Sequence, residues 1–212
     1  GAAFDLPLRE NIGAEARMAL RGDLGLGGIE VLSLLFLRNI ETVQFSTSPG
    51  SLERSWTRRP IETLDATDPA EEASCFRLDD GRGSIEDWLR FSWGPVNVPD
   101  SVREKLDHKL RDITPADVTI RIVASLRNGS IEPVGLDLGK TGSRPDGRLF
   151  SFLPVGDRTS GLRSGVAFHV DAPFNLTLER DRLHEDAYNE WLGDEIGRAV
   201  HRCFASIARS RY

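Results

Sequence analysis

The chain has 212 residues, 39% of them hydrophobic and 28% charged, and a formal net charge of -6. That length supports one sizeable core, or one domain with a small appendage, and the acidic balance argues against a nucleic-acid platform, which carries a basic excess. Its two cysteines, Cys75 and Cys203, sit among apolar neighbours, so buried reduced thiols in a cytoplasmic protein are expected in preference to a disulfide framework.

Phe4-Asp5-Leu6-Pro7-Leu8-Arg9 alternates like the last strand of something larger. Residues 11–20 are predicted as a short helix. Residues 22–28 are too glycine-rich for regular structure and lack G-x-G-x-x-G, so they are read as a linker. Residues 29–37 are almost continuously apolar, and their unbranched leucines predict a buried helix. Residues 41–46 alternate as an edge strand does. The polar, proline-punctuated stretch 47–72 is read as an extended segment from Thr57-Arg58-Arg59-Pro60, with Arg58-Arg59 an exposed strand end, followed by a loop over 65–72. Strands are predicted at 74–78 and 87–93 across the turn Asp79-Asp80-Gly81-Arg82-Gly83. Leu89, Phe91 and Trp93 share one face of the second, Trp88, Arg90 and Ser92 the other. Residues 102–110 are short of apolar side chains, hence an exposed helix.

The clearest strand is 118–126, whose even-numbered positions are all apolar, and Asn128-Gly129 supplies the positive φ angles of a tight hairpin. A glycine-rich loop over 135–147 precedes strands at 148–153 and 165–170. Residues 185–209 form the best helix: Leu192, Ile196, Val200, Cys203 and Ile207 recur every three or four residues, with acids early and bases late, as the helix dipole prefers. Trp191 and Leu192 are read as core. The expected fold class is α/β in the α+β sense, a sandwich with a mixed, largely antiparallel sheet covered by helices.

Candidate chemistry is sparse. The four histidines, His108, His169, His184 and His201, show no metal-ligand spacing, no G-x-S-x-G elbow occurs, and no apolar run approaches the roughly 20 residues of a membrane span. His169 near Asp171 suggests acid–base work, but a histidine packed against a sheet explains it as well. Leu138-Gly139-Lys140-Thr141-Gly142 fails as a P-loop because Val134 stands where the first glycine belongs. The most informative stretch is Ala172-Pro173-Phe174-Asn175-Leu176-Thr177-Leu178-Glu179-Arg180-Asp181-Arg182-Leu183, an apolar entry ending in a Thr-Leu-x-Arg-x-x-Leu turn. Arg180 there is either a cation presented to a partner or a surface arginine at a helix start, paired with Glu179, Asp181 or Glu185. Arg182 is the alternative cation if the turn slips in register.

This turn resembles the catalytic loop in the middle domain of Hsp90-type ATPases. Three further segments resemble the same superfamily in the same order: Gly1-Ala2-Ala3-Phe4-Asp5-Leu6-Pro7-Leu8-Arg9, Leu34-Leu35-Phe36-Leu37-Arg38-Asn39-Ile40, and Gly147-Arg148-Leu149-Phe150-Ser151-Phe152-Leu153-Pro154. Phe168-His169-Val170-Asp171 is similar to the Val-His-Val-Asn of sacsin-like members. The resemblance implies a fold like ribosomal protein S5 domain 2, with residues 1–10 closing a nucleotide-binding domain (or serving as linker) and 11–212 forming a middle, transducer-like domain. It further implies that Arg180 meets the γ-phosphate of ATP, with Lys140 and Arg182 as further phosphate contacts. ATP and its magnesium would bind the N-terminal nucleotide-binding domain, and the isolated chain would be inactive with no cofactor of its own. Partners implied are that domain, a protein client and a second copy in the parent protein, with no membrane and no nucleic acid. Asp80-Gly81-Arg82-Gly83 mimics the superfamily's Asp-x-Gly-x-Gly box but follows the wrong elements.

Overall fold

A computed structural model describes residues 31–36, 40–48, 51–64, 68–81, 83–134, 147–151, 153–156 and 162–209. The expectations for residues 1–30 and for the loop carrying Lys140 lie outside the described residues.

The described residues form a mixed sheet with three helices, an α+β arrangement. Strands β1 (Thr42–Ser48), β2 (Ser51–Leu64), β3 (Glu71–Asp79), β4 (Ile85–Asn97) and β5 (Asp117–Arg127) run as an antiparallel meander. The short β6 (Ser130–Glu132) folds back on β5 through Asn128 and Gly129, whose φ angles of 53° and 75° match the predicted turn. Beyond β5 the sheet continues with β9 (His169–Asp171), β7 (Leu149–Ser151) and β8 (Leu153–Pro154), and only the β7–β9 pairing is parallel.

Alternation in β5 divides the interior. Val118, Ile120, Ile122 and Ala124 join Phe91, Trp93, Val170 and, from helix α3 (Ala187–Arg209), Tyr188, Leu192, Ala199 and Cys203. Val123 points to the opposite face, with Trp56, Phe76, Trp88 and Phe150. The central strands are therefore covered on both sides, and α3 buries the apolar stripe that its periodicity predicts. Asp186 caps α3 by accepting from the Asn189 N–H at 2.7 Å.

Five expectations change. The helix expected at 29–37 is, among described residues, a 3₁₀ helix at Val31–Leu35. Arg58 Nη1 donates to the Leu34 carbonyl (2.8 Å) and Arg90 Nη1 to the Leu35 carbonyl (3.1 Å), satisfying end carbonyls that a helix leaves without internal partners. Arg58 is accordingly buried; Arg59 is exposed as expected, but both lie within β2 and neither at a strand end. Burial holds the Arg58 pKa below its ordinary value, with Glu41 acting in the other direction. The stretch 51–64 is a long strand, with Pro60 at a register shift, Ile61 half exposed, and pairing resumed at Glu62. The 102–110 helix is two short ones, α1 (Asp100–Arg103) and α2 (His108–Ile113), because Leu106 between them turns into the core. The strand at 165–170 shrinks to β9, since Ser164 Oγ donates to the carbonyls of Val166 (3.0 Å) and Phe168 (2.8 Å). Gly147 packs so closely on those same two carbonyls that no side chain fits there.

Candidate functional site: the Arg180 turn and its supports

Residues 177–182 form a closed turn between Leu176 and Leu183, which bridge as antiparallel partners. The Thr177 N–H donates to the Arg182 carbonyl (3.1 Å) and the Arg180 N–H to the Thr177 carbonyl (2.9 Å). The Thr177 hydroxyl donates to Asp181 at 2.7 Å; this bond, then Arg182, holds the Asp181 carboxyl below the usual range against the opposing effect of desolvation. Leu178 stands at the tip with 95% of its surface exposed.

Arg180 has φ 58°, a left-handed conformation that non-glycine residues adopt rarely. The turn is a β-hairpin-like excursion, and the helix starts at Ala187, so Arg180 does not open a helix. Its Nη2 donates to the Ser151 carbonyl at 3.0 Å, and its own carbonyl accepts from the Gly156 N–H at 2.9 Å. The segment 147–156 thus grips the turn at two points. Arg182, by contrast, leaves 78% of its side chain exposed and meets Asp181 at 3.3 Å. A pair this exposed holds its partners loosely.

Sequence segments far apart in the chain meet here. The Phe36 ring lies 4.6 Å from Phe150, and Phe150 lies edge-on to His169 at 5.8 Å. His169 also packs on Trp88 at 5.7 Å, and its Nδ1 accepts from the Arg148 N–H at 3.2 Å. Asp171 ion-pairs with Arg121 at 2.7 Å, with only 2% and 7% of the side chains exposed. The His169–Asp171 pair is therefore divided between an aromatic cluster and a buried ion pair, and the packed alternative describes it.

Sequence reasoning passed over a polar hub beneath the turn. Buried Asn175 donates through Nδ2 to Asp186 (3.1 Å) and Thr114 (3.3 Å). Its N–H donates to Asn189 Oδ1 (3.1 Å), and its carbonyl accepts from Asn189 Nδ2 (2.8 Å). The hub fastens the turn to the first turn of α3. The Asp186-x-x-Asn189 capping spacing was the available signal.

A second candidate is a cleft of about 760 Å³ between β4 and α3, lined by Trp93, Val96, Asp194, Glu195, Arg198, His201 and Arg202 among others. Arg202 lies 5.3 Å over Trp93 and donates to Asp68 (3.0 Å) and Glu71 (3.1 Å), while Arg198 pairs with buried Glu195. Two acids and two arginines in the wall cancel, so the cleft selects no ligand charge. Among the described residues, no three His, Cys, Asp or Glu side chains gather where they could hold a metal ion, and no helix is long and apolar enough to cross a membrane. Comparison with protein-family models, curated proteins and solved structures gave no match.

Proposed function

We propose that this chain is the middle, transducer-like domain of an Hsp90-like or sacsin-like ATPase, with a fold like ribosomal protein S5 domain 2. In this reading it works in the cytoplasm, docks on a nucleotide-binding domain that holds ATP and magnesium, and couples hydrolysis to the handling of a client, with a second copy as a further partner. Arg180 reaches the γ-phosphate, and Lys140 and Arg182 are its auxiliary cations.

One observation carries the reading. Segments chosen separately for their resemblance, 34–36, 147–151 and 172–183, come together around Phe150 and Ser151, with Arg180 donating to the Ser151 carbonyl at 3.0 Å. A charged hydrogen bond of this kind contributes about 1.5–3 kcal/mol. An arginine arriving at a transferring phosphoryl group supplies a rate factor of about 10³–10⁵, or roughly 4–7 kcal/mol at 1.36 kcal/mol per decade. Leaving Ser151 for the phosphate is therefore favourable in the transition state. Arginine suits the task because its planar fork holds two oxygens and stays charged when desolvated.

The test is ATP turnover and ATP affinity in the protein that joins this chain to a nucleotide-binding domain. Arg180→Ala should lower turnover about 10³-fold and leave affinity nearly unchanged. Equal losses in both, or none in either, favour a second reading: a non-catalytic scaffold domain of the same fold. The grip of residues 147–156 on both the side chain and the carbonyl of Arg180 supports that alternative, with exposed Leu178 as the contact for a bound partner.

A further inference from the structure

We infer that the 3₁₀ helix Val31–Leu35 sets the position of Arg180 through Phe36, Phe150 and the Ser151 carbonyl, so that lifting this helix from the sheet releases the guanidinium. The inference rests on the reading of Arg180 as the functional cation. It concerns how that cation is held back.

The helix sits in a clasp. Arg58 and Arg90 donate to the Leu34 and Leu35 carbonyls, and both guanidiniums lie over the Phe76 ring, at 5.2 and 4.5 Å from its centre. The clasp is thereby fixed to β3. Next along the chain, buried Phe36 stacks on buried Phe150 at 4.6 Å. Interiors pack at crystal-like density, so withdrawing the Phe36 ring opens a void toward which Phe150 relaxes in part. Phe150 is one peptide bond from the Ser151 carbonyl that accepts from Arg180, and the same segment's Gly156 N–H holds the Arg180 carbonyl. A shift of Phe150 therefore loosens both grips on the turn together.

The clasp bonds join charged donors to backbone carbonyls, groups that water solvates when they separate. Lifting the helix also exposes the buried Leu34, Leu35 and Phe36, so opening has to be driven by a partner that compensates for their burial. Phe36 and Phe150 are positioning residues in this scheme. They never touch a phosphate.

Hydrogen exchange on the intact chain tests the coupling without any ATP measurement. In Phe36→Ala, the amides of Gly156 and Arg180 should exchange about 10-fold faster, the middle of the range for residues linked through a shared partner. The amides of Ile120 and Ile122, in the sheet interior, exchange on global unfolding and should accelerate by no more than the global stability lost in urea unfolding. Phe36→Leu, which refills most of the space, should restore Gly156 to within about 3-fold of wild type. If Phe36→Ala does not fold, Arg90→Gln opens the clasp from the sheet side and should give the same local pattern. Unchanged exchange at Gly156, or equal acceleration at all four amides, overturns the inference. Failure here with an intact Arg180→Ala turnover defect removes the coupling alone; loss of that turnover defect with the exchange pattern intact removes the catalytic reading alone.

Discussion

Arg180 combines an unfavourable backbone with a favourable side chain, and two substitutions separate them. Arg180→Ala removes the guanidinium bond to Ser151 and leaves a non-glycine residue at φ 58°. Losing that bond should cost about 1.5–3 kcal/mol. Arg180→Gly loses the same side-chain interactions but removes the left-handed penalty of about 1–2 kcal/mol. Against this, glycine raises the entropy of the unfolded chain, at a cost of about 0.4–1 kcal/mol. The difference between the two variants cancels every side-chain term. It leaves Arg180→Gly more stable than Arg180→Ala by about 0.5–1 kcal/mol, roughly 1–4 °C in melting temperature for a chain of this size. Urea unfolding followed by tryptophan fluorescence, with both variants measured at one pH and ionic strength, resolves a gap of that size. An alanine variant equal to or more stable than the glycine variant refutes the left-handed geometry on which the turn is built.

Three further outcomes are expected. Asp171→Ala strands the buried Arg121 guanidinium and should cost about 3–5 kcal/mol, whereas Arg121→Met with Asp171→Leu should recover most of it; a single-variant loss below about 1 kcal/mol in urea unfolding contradicts this. The Arg77 guanidinium, bonded to both oxygens of Asp87 at 2.7 and 2.8 Å, holds that carboxyl below its ordinary value, so its contribution is present above about pH 4 and lost as the pH falls through the folded-state value. Carbon NMR should show Arg77→Gln returning the Asp87 titration toward the usual range, and the exposure of the pair keeps its contribution to stability small. Burial, with the Glu71 charge as a smaller cause, pushes the Cys203 thiol up to about 12. The unfolded thiol ionises near pH 8.5 and the folded one does not, so stability present below that pH is lost as pH rises. The wild type should therefore lose more stability from pH 8 to pH 10 than Cys203→Ala, and equal losses contradict the assignment.

Much of the sheet and the long helix was legible because their burial imposes a period. β5 alternates without interruption and ends in Asn-Gly, and the α3 stripe repeats every three or four residues. β2 was read only in part. Its proline lies at a register shift that ordinary strand patterning cannot represent, and its polar residues dilute the alternation. The buried helix was legible from its leucines but its 3₁₀ form was not, and the arginines that take its end carbonyls lie 24 and 55 residues away. The candidate turn was found by its residue order, but not its shape. Arginine gives no signal for a left-handed backbone, and the Asn175 hub reaches Thr114 across 61 residues. Tertiary contacts decide such details, and local composition does not record them.

Arg202 ties α3 to Asp68, 134 positions earlier in the chain. During synthesis the meander β1–β5 leaves the ribosome well before the element that closes its larger core. At translation rates of about 5–20 residues per second, the apolar face formed by Phe91, Trp93, Ile120 and Ile122 waits on the order of ten seconds for Tyr188 and Leu192 to arrive. A nascent chain stalled in that interval presents wet hydrophobic strands to its neighbours, so a message truncated just before the codon for Ala187 should yield aggregate or a holdase-bound intermediate instead of a smaller folded protein.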